Sequence, residues 1–278
     1  MTKRFAVLGS PIAHSQSPVI HTAIYRELGL DWGYQRAEVA AGQLASYLTE
    51  AGSDFNGFSV TMPLKYEAAE IATKKSLLVA TTGIANTLLL LESGEFAAWN
   101  TDIPGLSRAL QKAAFDARET VILGAGATAV SAALAATELG INNLTVLARR
   151  EAAAAESAAV ISQHFKKLHL DINVSHGKLA SEIVIADDPT LVISALPGTA
   201  APDFPSALLA ADLFDVAYDP RPTRLEKIFS EAGRQVETGL AMLLEQALLQ
   251  VRIFVAGDIS QPLPNEAELL SAARAALA

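Results

Sequence analysis

The most constraining feature of the chain is a glycine turn near its middle, Val121-Ile122-Leu123-Gly124-Ala125-Gly126-Ala127-Thr128-Ala129. An apolar run enters it and an alanine-rich stretch at helical period leaves it. A strand, a tight glycine turn and a helix in that order are what a G-x-G-x-x-G/A dinucleotide fingerprint requires. Gly124 permits the turn, Gly126 lets the backbone approach a pyrophosphate, and the small Ala129 lets helix and strand pack closely. The anion is expected on the helix N-terminus, against unpaired N–H groups and the positive end of the helix dipole. A dinucleotide fold starting here leaves everything before Val121 to do something else.

The preceding residues alternate between strand and helix signals. Strands are predicted at 5–8, 34–39 and 57–60, and helices at 18–28, 41–51 and 64–72. Residues 87–91 and 96–99 flank a Ser93-Gly94 turn and read as a hairpin. A connecting helix follows at 103–115. The second series has strands at 121–123, 144–147, near 171–174, at 191–194 and at 213–217, with helices at 127–139 and 151–165. Repeated strand–helix units imply a parallel sheet with right-handed crossovers. Long helical patterns at 240–255 and 266–277 close the chain.

Composition removes several function classes. A net charge of −9 argues against a nucleic-acid surface, which needs clustered cations. With no cysteine, disulfides, thiolate metal sites and cysteine nucleophiles are excluded. The five histidines have no metal-ligand spacing, so no metal is expected. The apolar run after Lys3-Arg4 stops at Gly9-Ser10-Pro11, too early for a signal sequence. No stretch reads as a membrane span, and a cytoplasmic location is expected.

Cofactor choice turns on the tip of the strand after the fingerprint helix. An acid there binds the ribose 2′-hydroxyl of NAD, and arginine accommodates the 2′-phosphate of NADP. Here Ala148-Arg149-Arg150 follows the strand. Two guanidiniums suit a phosphate dianion. A solvated pair at a helix start is the plainer reading, and cations are disfavoured there. NADP is therefore the expected cofactor.

The first half carries loops dense in small polar groups: Ser15-Gln16-Ser17-Pro18, Ser59-Val60-Thr61-Met62-Pro63-Leu64-Lys65, Ala85-Asn86-Thr87, and Asn100-Thr101-Asp102. Each lies at a strand end or helix start, where open α/β sheets place ligands. Hydroxyls, amides, one lysine and one aspartate suit a polyhydroxylated small molecule. Taken singly, Ser17 and Asp102 read as helix N-caps and Lys65 as a surface lysine.

Taken together and in order, these segments resemble the shikimate dehydrogenase family almost end to end. The matching motifs are Ser15-Gln16-Ser17-Pro18, Val60 to Lys65, Asn100-Thr101-Asp102-Ile103-Pro104-Gly105, Gly124 to Ala129, Tyr218, and the set Gly239, Met242, Leu243 and Gln246. Ser59 stands where the family usually has Asn, and Leu77 replaces a common acidic residue. The resemblance implies a substrate domain of residues 1–102 and 240–278, an α/β fold to which the C-terminal helices return. It implies a Rossmann-like NADP domain of residues 103–239. The implied reaction is reduction of 3-dehydroshikimate to shikimate with NADPH. Lys65 and Asp102 would be the catalytic pair. Ser15, Ser17, Thr61, Asn86, Tyr218 and Gln246 would hold the substrate. Gly124, Ala125, Gly126, Ala127, Thr128, Ala129, Arg149 and Arg150 would hold NADP, and Val216 and Gly239 would line the nicotinamide pocket. The expected partner is a small molecule, the expected assembly a monomer or homodimer. A quinate/shikimate dehydrogenase, a paralogue for another cyclic hydroxy acid, and a non-catalytic NADPH sensor stay open at this point.

Overall fold

The computed structural model describes residues 2–180, 188–200 and 202–277. They form two compact units, one of residues 1–101 and 244–278, the other of residues 102–243.

The first unit opens β1 (Arg4–Gly9), α1 (Ser17–Glu27), β2 (Gly33–Glu38), α2 (Leu44–Ala51), β3 (Gly57–Val60) and α3 (Lys65–Ile71). It continues through β4 (Lys74–Lys75), α4 (Leu77–Thr82), β5 (Thr87–Leu90) and β6 (Phe96–Trp99). The six strands form one sheet in the order β2-β1-β3-β5-β6-β4. β1 lies parallel to β2 and β3, and β5 is antiparallel to both β3 and β6. Phe5, Ala6, Val7 and Leu8 are all buried, as a central strand covered on both faces requires. β2 sits at the sheet edge, and none of its positions is buried.

The second unit holds α5 (Asp102–Ala113), β7 (Glu119–Leu123), α6 (Ala127–Ala136), β8 (Asn143–Ala148), α7 (Glu151–Lys167) and β9 (Asn173–Lys178). After these come β10 (Leu191–Ser194), β11 (Asp212–Asp215), α8 (Arg224–Glu231) and β12 (Val236–Thr238). Its sheet is wholly parallel, in the order β12-β11-β10-β7-β8-β9. Counted from β7, this is the 3-2-1-4-5-6 order of a doubly wound dinucleotide fold. The order reverses between β7 and β10, so a crevice opens at their carboxyl ends, where such folds bind ligands. Val121, Leu123, Val192, Leu213 and Phe229 form its buried core.

α9 (Gly239–Ala256) carries the chain back to the first unit, and α10 (Glu266–Ala275) follows. Phe254 of α9 stacks on Phe5 with ring centroids 4.3 Å apart. Arg252 donates two bonds of 2.6 Å to the Glu266 carboxylate and a third, of 3.1 Å, to the Ile259 carbonyl. This fork ties α9 to the start of α10.

Several sequence expectations need correction. α9 is long and apolar enough to cross a membrane, contrary to the reading that no segment approaches a span, but 72% of it is buried in the fold. It also carries buried Glu245, Gln246, Gln250 and Arg252, which is the pattern of a core helix. Ser17 is not the N-cap of α1. Gln16 holds that place, and Ser17 is the first helical residue. Nor does Asp102 precede its helix; it opens α5. α2 starts at Leu44 rather than 41, because the Glu67 carboxylate accepts the N–H groups of Gly42 and Leu44 and holds a turn there. β9 runs on to Lys178, past the predicted 174, and β11 stops at Asp215, short of 217.

Candidate active site

In the first unit, the carboxyl end of the sheet gathers amide and hydroxyl side chains from distant parts of the chain. Asn86, Thr101 and Gln246 are buried together. The Thr101 N–H donates to Asn86 Oδ1 at 2.8 Å, and Asn86 Nδ2 donates to Thr101 Oγ1 at 2.9 Å. Gln246 Oε1 accepts from Thr101 Oγ1 at 3.3 Å and from Asn86 Nδ2 at 3.4 Å. Every group in this cluster is neutral, so it offers hydrogen bonds to hydroxyls without imposing a charge.

The two neighbouring loops come to the same end. Ser15 Oγ donates to Ser17 Oγ at 3.3 Å, and Arg36 Nε donates to the Ser15 carbonyl at 2.9 Å. Thr61 follows β3, with its N–H on the Leu8 carbonyl at 2.9 Å. Lys65 opens α3 and is half-buried. Its carbonyl accepts the Ala85 N–H at 2.9 Å, and the next N–H, of Asn86, binds the Trp99 carbonyl at 3.0 Å. Two backbone bonds thus tie the lysine loop and the Asn100-Thr101 loop to one short segment. Asp102, 6% exposed, follows Thr101 directly.

The crevice of the second unit is a cleft of about 750 Å³. Gly124 and Ala125 line it from the turn after β7, and Leu196 and Pro197 from the loop after β10. Arg149 and Arg150 enter from the end of β8, and Lys178 from the end of β9. Ala148 and Lys178 are register partners, which sets the lysine one strand over from Arg149. Gly124 has φ +116°, and a Cβ there would lie 3.2 Å from the Ala195 carbonyl oxygen, so the turn demands glycine. Gly126, φ +101°, caps α6. Its N–H donates to Ser157 Oγ at 3.1 Å, so this amide is engaged rather than unpaired as the fingerprint alone suggested. Ala127 and Thr128 are half-buried in the first turn of α6, and Ala129 is fully buried against the sheet.

Beyond β11, the Asp215 carboxylate accepts the Thr223 hydroxyl at 2.6 Å and the Ala217 N–H at 3.3 Å. Burial pushes its pKa up, and those donors pull the other way. Thr223 in turn caps α8 through the Glu226 N–H, at 3.1 Å. The loop so held contains Val216 and the half-buried Tyr218. Gly239 is packed on it: its N–H donates to the Ala217 carbonyl at 3.3 Å, and a Cβ would collide with the Val216 carbonyl oxygen. Val216 and Gly239 are therefore brought side by side.

Residues 7–88 match the model of the shikimate dehydrogenase substrate binding domain. The chain is 31% identical over 257 residues to the shikimate dehydrogenase (NADP(+)) of Methanosarcina barkeri, covering 88% of this chain and 90% of the relative. It is 32% identical to a shikimate dehydrogenase (NADP(+)) of Thermus thermophilus, over 99% and 98% of the two chains. The chain belongs to the shikimate dehydrogenase family. Among solved structures, Mycobacterium tuberculosis shikimate dehydrogenase is similar with TM-score 0.81 and 34% identity, over 98% of this chain and 99% of that one. A Thermus thermophilus shikimate 5-dehydrogenase, in complex with NADP(H) and shikimate, gives 0.79 and 29%, over 99% of this chain and 100% of that one.

Two residues of these sites are not among those the sequence assigned to substrate or cofactor. Thr101 lies inside a recognised motif, but only the fold shows its hydroxyl between Asn86 and Gln246. Lys178 has no motif at all, and its place in the cleft follows from the register of β8 and β9.

Proposed function

We propose that the chain is an NADP-dependent shikimate dehydrogenase, interconverting 3-dehydroshikimate with NADPH and shikimate with NADP+. The buried Asn86–Thr101–Gln246 cluster, tied through Ala85 to the backbone of Lys65, carries this reading. It supplies amide and hydroxyl partners for a polyol, on a segment tied by backbone to the loop that carries Lys65. Ser15, Ser17, Thr61 and Tyr218 complete the set that holds the substrate's hydroxyls and carboxylate.

The second-unit cleft fits a phosphorylated dinucleotide. Its Gly124 turn needs the positive φ of glycine and is tight around a Cβ, and three cations enter from neighbouring strand ends. Gly124 to Ala129 hold the pyrophosphate end, and Arg149 and Arg150, with Lys178 added, hold the 2′-phosphate. Val216 and Gly239 face the nicotinamide. When bound, the nicotinamide supplies the hydride in one direction and accepts it in the other.

The chain's own groups supply position and the proton. Reduction of the ketone builds negative charge on its oxygen, which the Lys65 ammonium stabilises and protonates. In the reverse direction the neutral amine takes that proton from the shikimate hydroxyl. The Asp102 carboxylate accepts the same hydroxyl's hydrogen bond and orients the lysine.

Steady-state assays of shikimate and quinate, each with NADP+ and NAD+, test this. Turnover of shikimate with NADP+ is expected to dominate. No turnover with any pair would overturn the enzyme reading, and turnover with NAD+ alone would overturn the cofactor assignment.

A further inference from the structure

Asp215 closes β11 with its side chain buried, and both of its oxygens are engaged by donors whose roles are fixed. Oδ1 accepts the Ala217 N–H at 3.3 Å, and a backbone amide can only donate. Oδ2 accepts the Thr223 hydroxyl at 2.6 Å. Thr223 Oγ1 already takes the Glu226 N–H at 3.1 Å, and it has one hydrogen to give. A proton or an amide NH2 in place of either bare oxygen would face one of these donors. The position therefore calls for a carboxylate.

The two donors stand on either side of Tyr218. Val216 is still held by the sheet, its N–H on the Ser194 carbonyl at 2.8 Å. The Ala217 carbonyl accepts the Gly239 N–H at 3.3 Å. Beyond it, residues 219–222 make no backbone hydrogen bond among the described residues, and Pro220 and Pro222 have no N–H to offer. The chain is tied again at Thr223. One carboxylate thus grips both ends of a stretch whose backbone has few bonds of its own.

We infer that Asp215 is a positioning residue: its carboxylate, bonded to Ala217 and Thr223, sets the place from which the Tyr218 side chain meets shikimate. The inference rests on the shikimate reading of Tyr218. Asp215→Asn keeps the size of the side chain but leaves one acceptor oxygen for two donors, so one tie is lost. The loop then samples other placements, and only the fraction in the native one binds at full strength.

The expected result is a rise of about tenfold in the calorimetric Kd and the KM for shikimate, the worth of one hydrogen bond to a charged group. Adenosine 2′,5′-bisphosphate probes the Arg149, Arg150 and Lys178 end of the cleft, which shares no partner with Asp215. Its Kd should stay within about twofold of wild type, whereas a general loss of structure would raise both. Thr223→Val removes the hydroxyl and keeps the shape; it should act like Asp215→Asn, and it carries the test if that variant does not fold. Thr223→Ser keeps the hydroxyl and should bind shikimate as wild type does. An unchanged shikimate Kd in folded Asp215→Asn or Thr223→Val protein would overturn the proposal. So would a bisphosphate Kd that rises in step with it, or Thr223→Ser as weak as Thr223→Val. Wild-type protein that neither binds nor turns over shikimate would instead overturn the functional reading beneath it.

Discussion

His21 makes acid sensitivity a quantitative test of how the first unit is packed. The residue is fully buried, stacked on Tyr34 and edge-on to Tyr25. Its Nδ1 is bonded to the Ser17 carbonyl. Burial pulls its pKa down from 6.5 to about 4, opposed by the Ser17 and Gln250 interactions. The folded value is the lower one, so between the two values the unfolded chain binds the proton and the folded chain does not. Stability is therefore fully present above pH 6.5 and is lost as pH falls toward 4. The difference is worth about 2 kcal/mol by pH 5 and about 3 kcal/mol in full. His21→Phe removes the titration while keeping a ring on Tyr34, and the Ser17 carbonyl, one turn back on α1, still serves the helix. Urea unfolding followed by circular dichroism, for both proteins at about pH 7 and pH 5, measures the effect. Wild type should lose about 2 kcal/mol relative to the variant across that interval. A stability difference that stays constant with pH would refute the reasoning.

Three further outcomes are expected. Lys65→Ala should lower kcat by about 10²–10⁴-fold while calorimetry shows shikimate binding largely retained; equal activity would remove Lys65 from the chemistry. Arg149→Ala and Lys178→Ala should each weaken NADP+ about tenfold and leave NAD+ nearly unchanged, the signature of lost contacts to the 2′-phosphate. Equal losses for both cofactors, measured by fluorescence titration, would contradict that placement. Arg252→Ala should cost about 2 kcal/mol in chemical unfolding because it removes the guanidinium fork from the Glu266 carboxylate, which keeps the Leu263 N–H, whereas replacing both residues with methionine should cost less. A single variant as stable as the double would show that the pair is not desolvated.

Sequence pattern located most strands and helices because each rests on neighbours a few positions apart. It misplaced ends where a distant side chain decides them, as Glu67 does at the start of α2. α8 carries a local signal of its own. Thr223-Arg224-Leu225-Glu226 has the spacing of a capping box, and the Thr223 hydroxyl does accept the Glu226 N–H. α4 is six residues long, too short for helical period to register, although Ser76 caps it through the Val79 N–H. The fingerprint predicted unpaired N–H groups for an anion at the start of α6, and the one at Gly126 is already engaged. Only the packing of α7 against α6 shows Ser157 bonded to it.

By itself the sequence determined the kind of chain this is: an α/β protein with a doubly wound half that begins at the Gly124 turn. Strand, turn and helix there lie within one short stretch, so backbone conformation and hydrophobic period are enough to reveal them. What only tertiary structure decided is the convergence of the polar groups. Asn86 and Gln246 meet across 160 residues, and Ser59 and Gln250 across 191. No periodicity relates such positions. They meet because α9 returns to the first unit and lays one polar edge against β3 and β5, where donor and acceptor roles are then set by the hydrogens each group has to give.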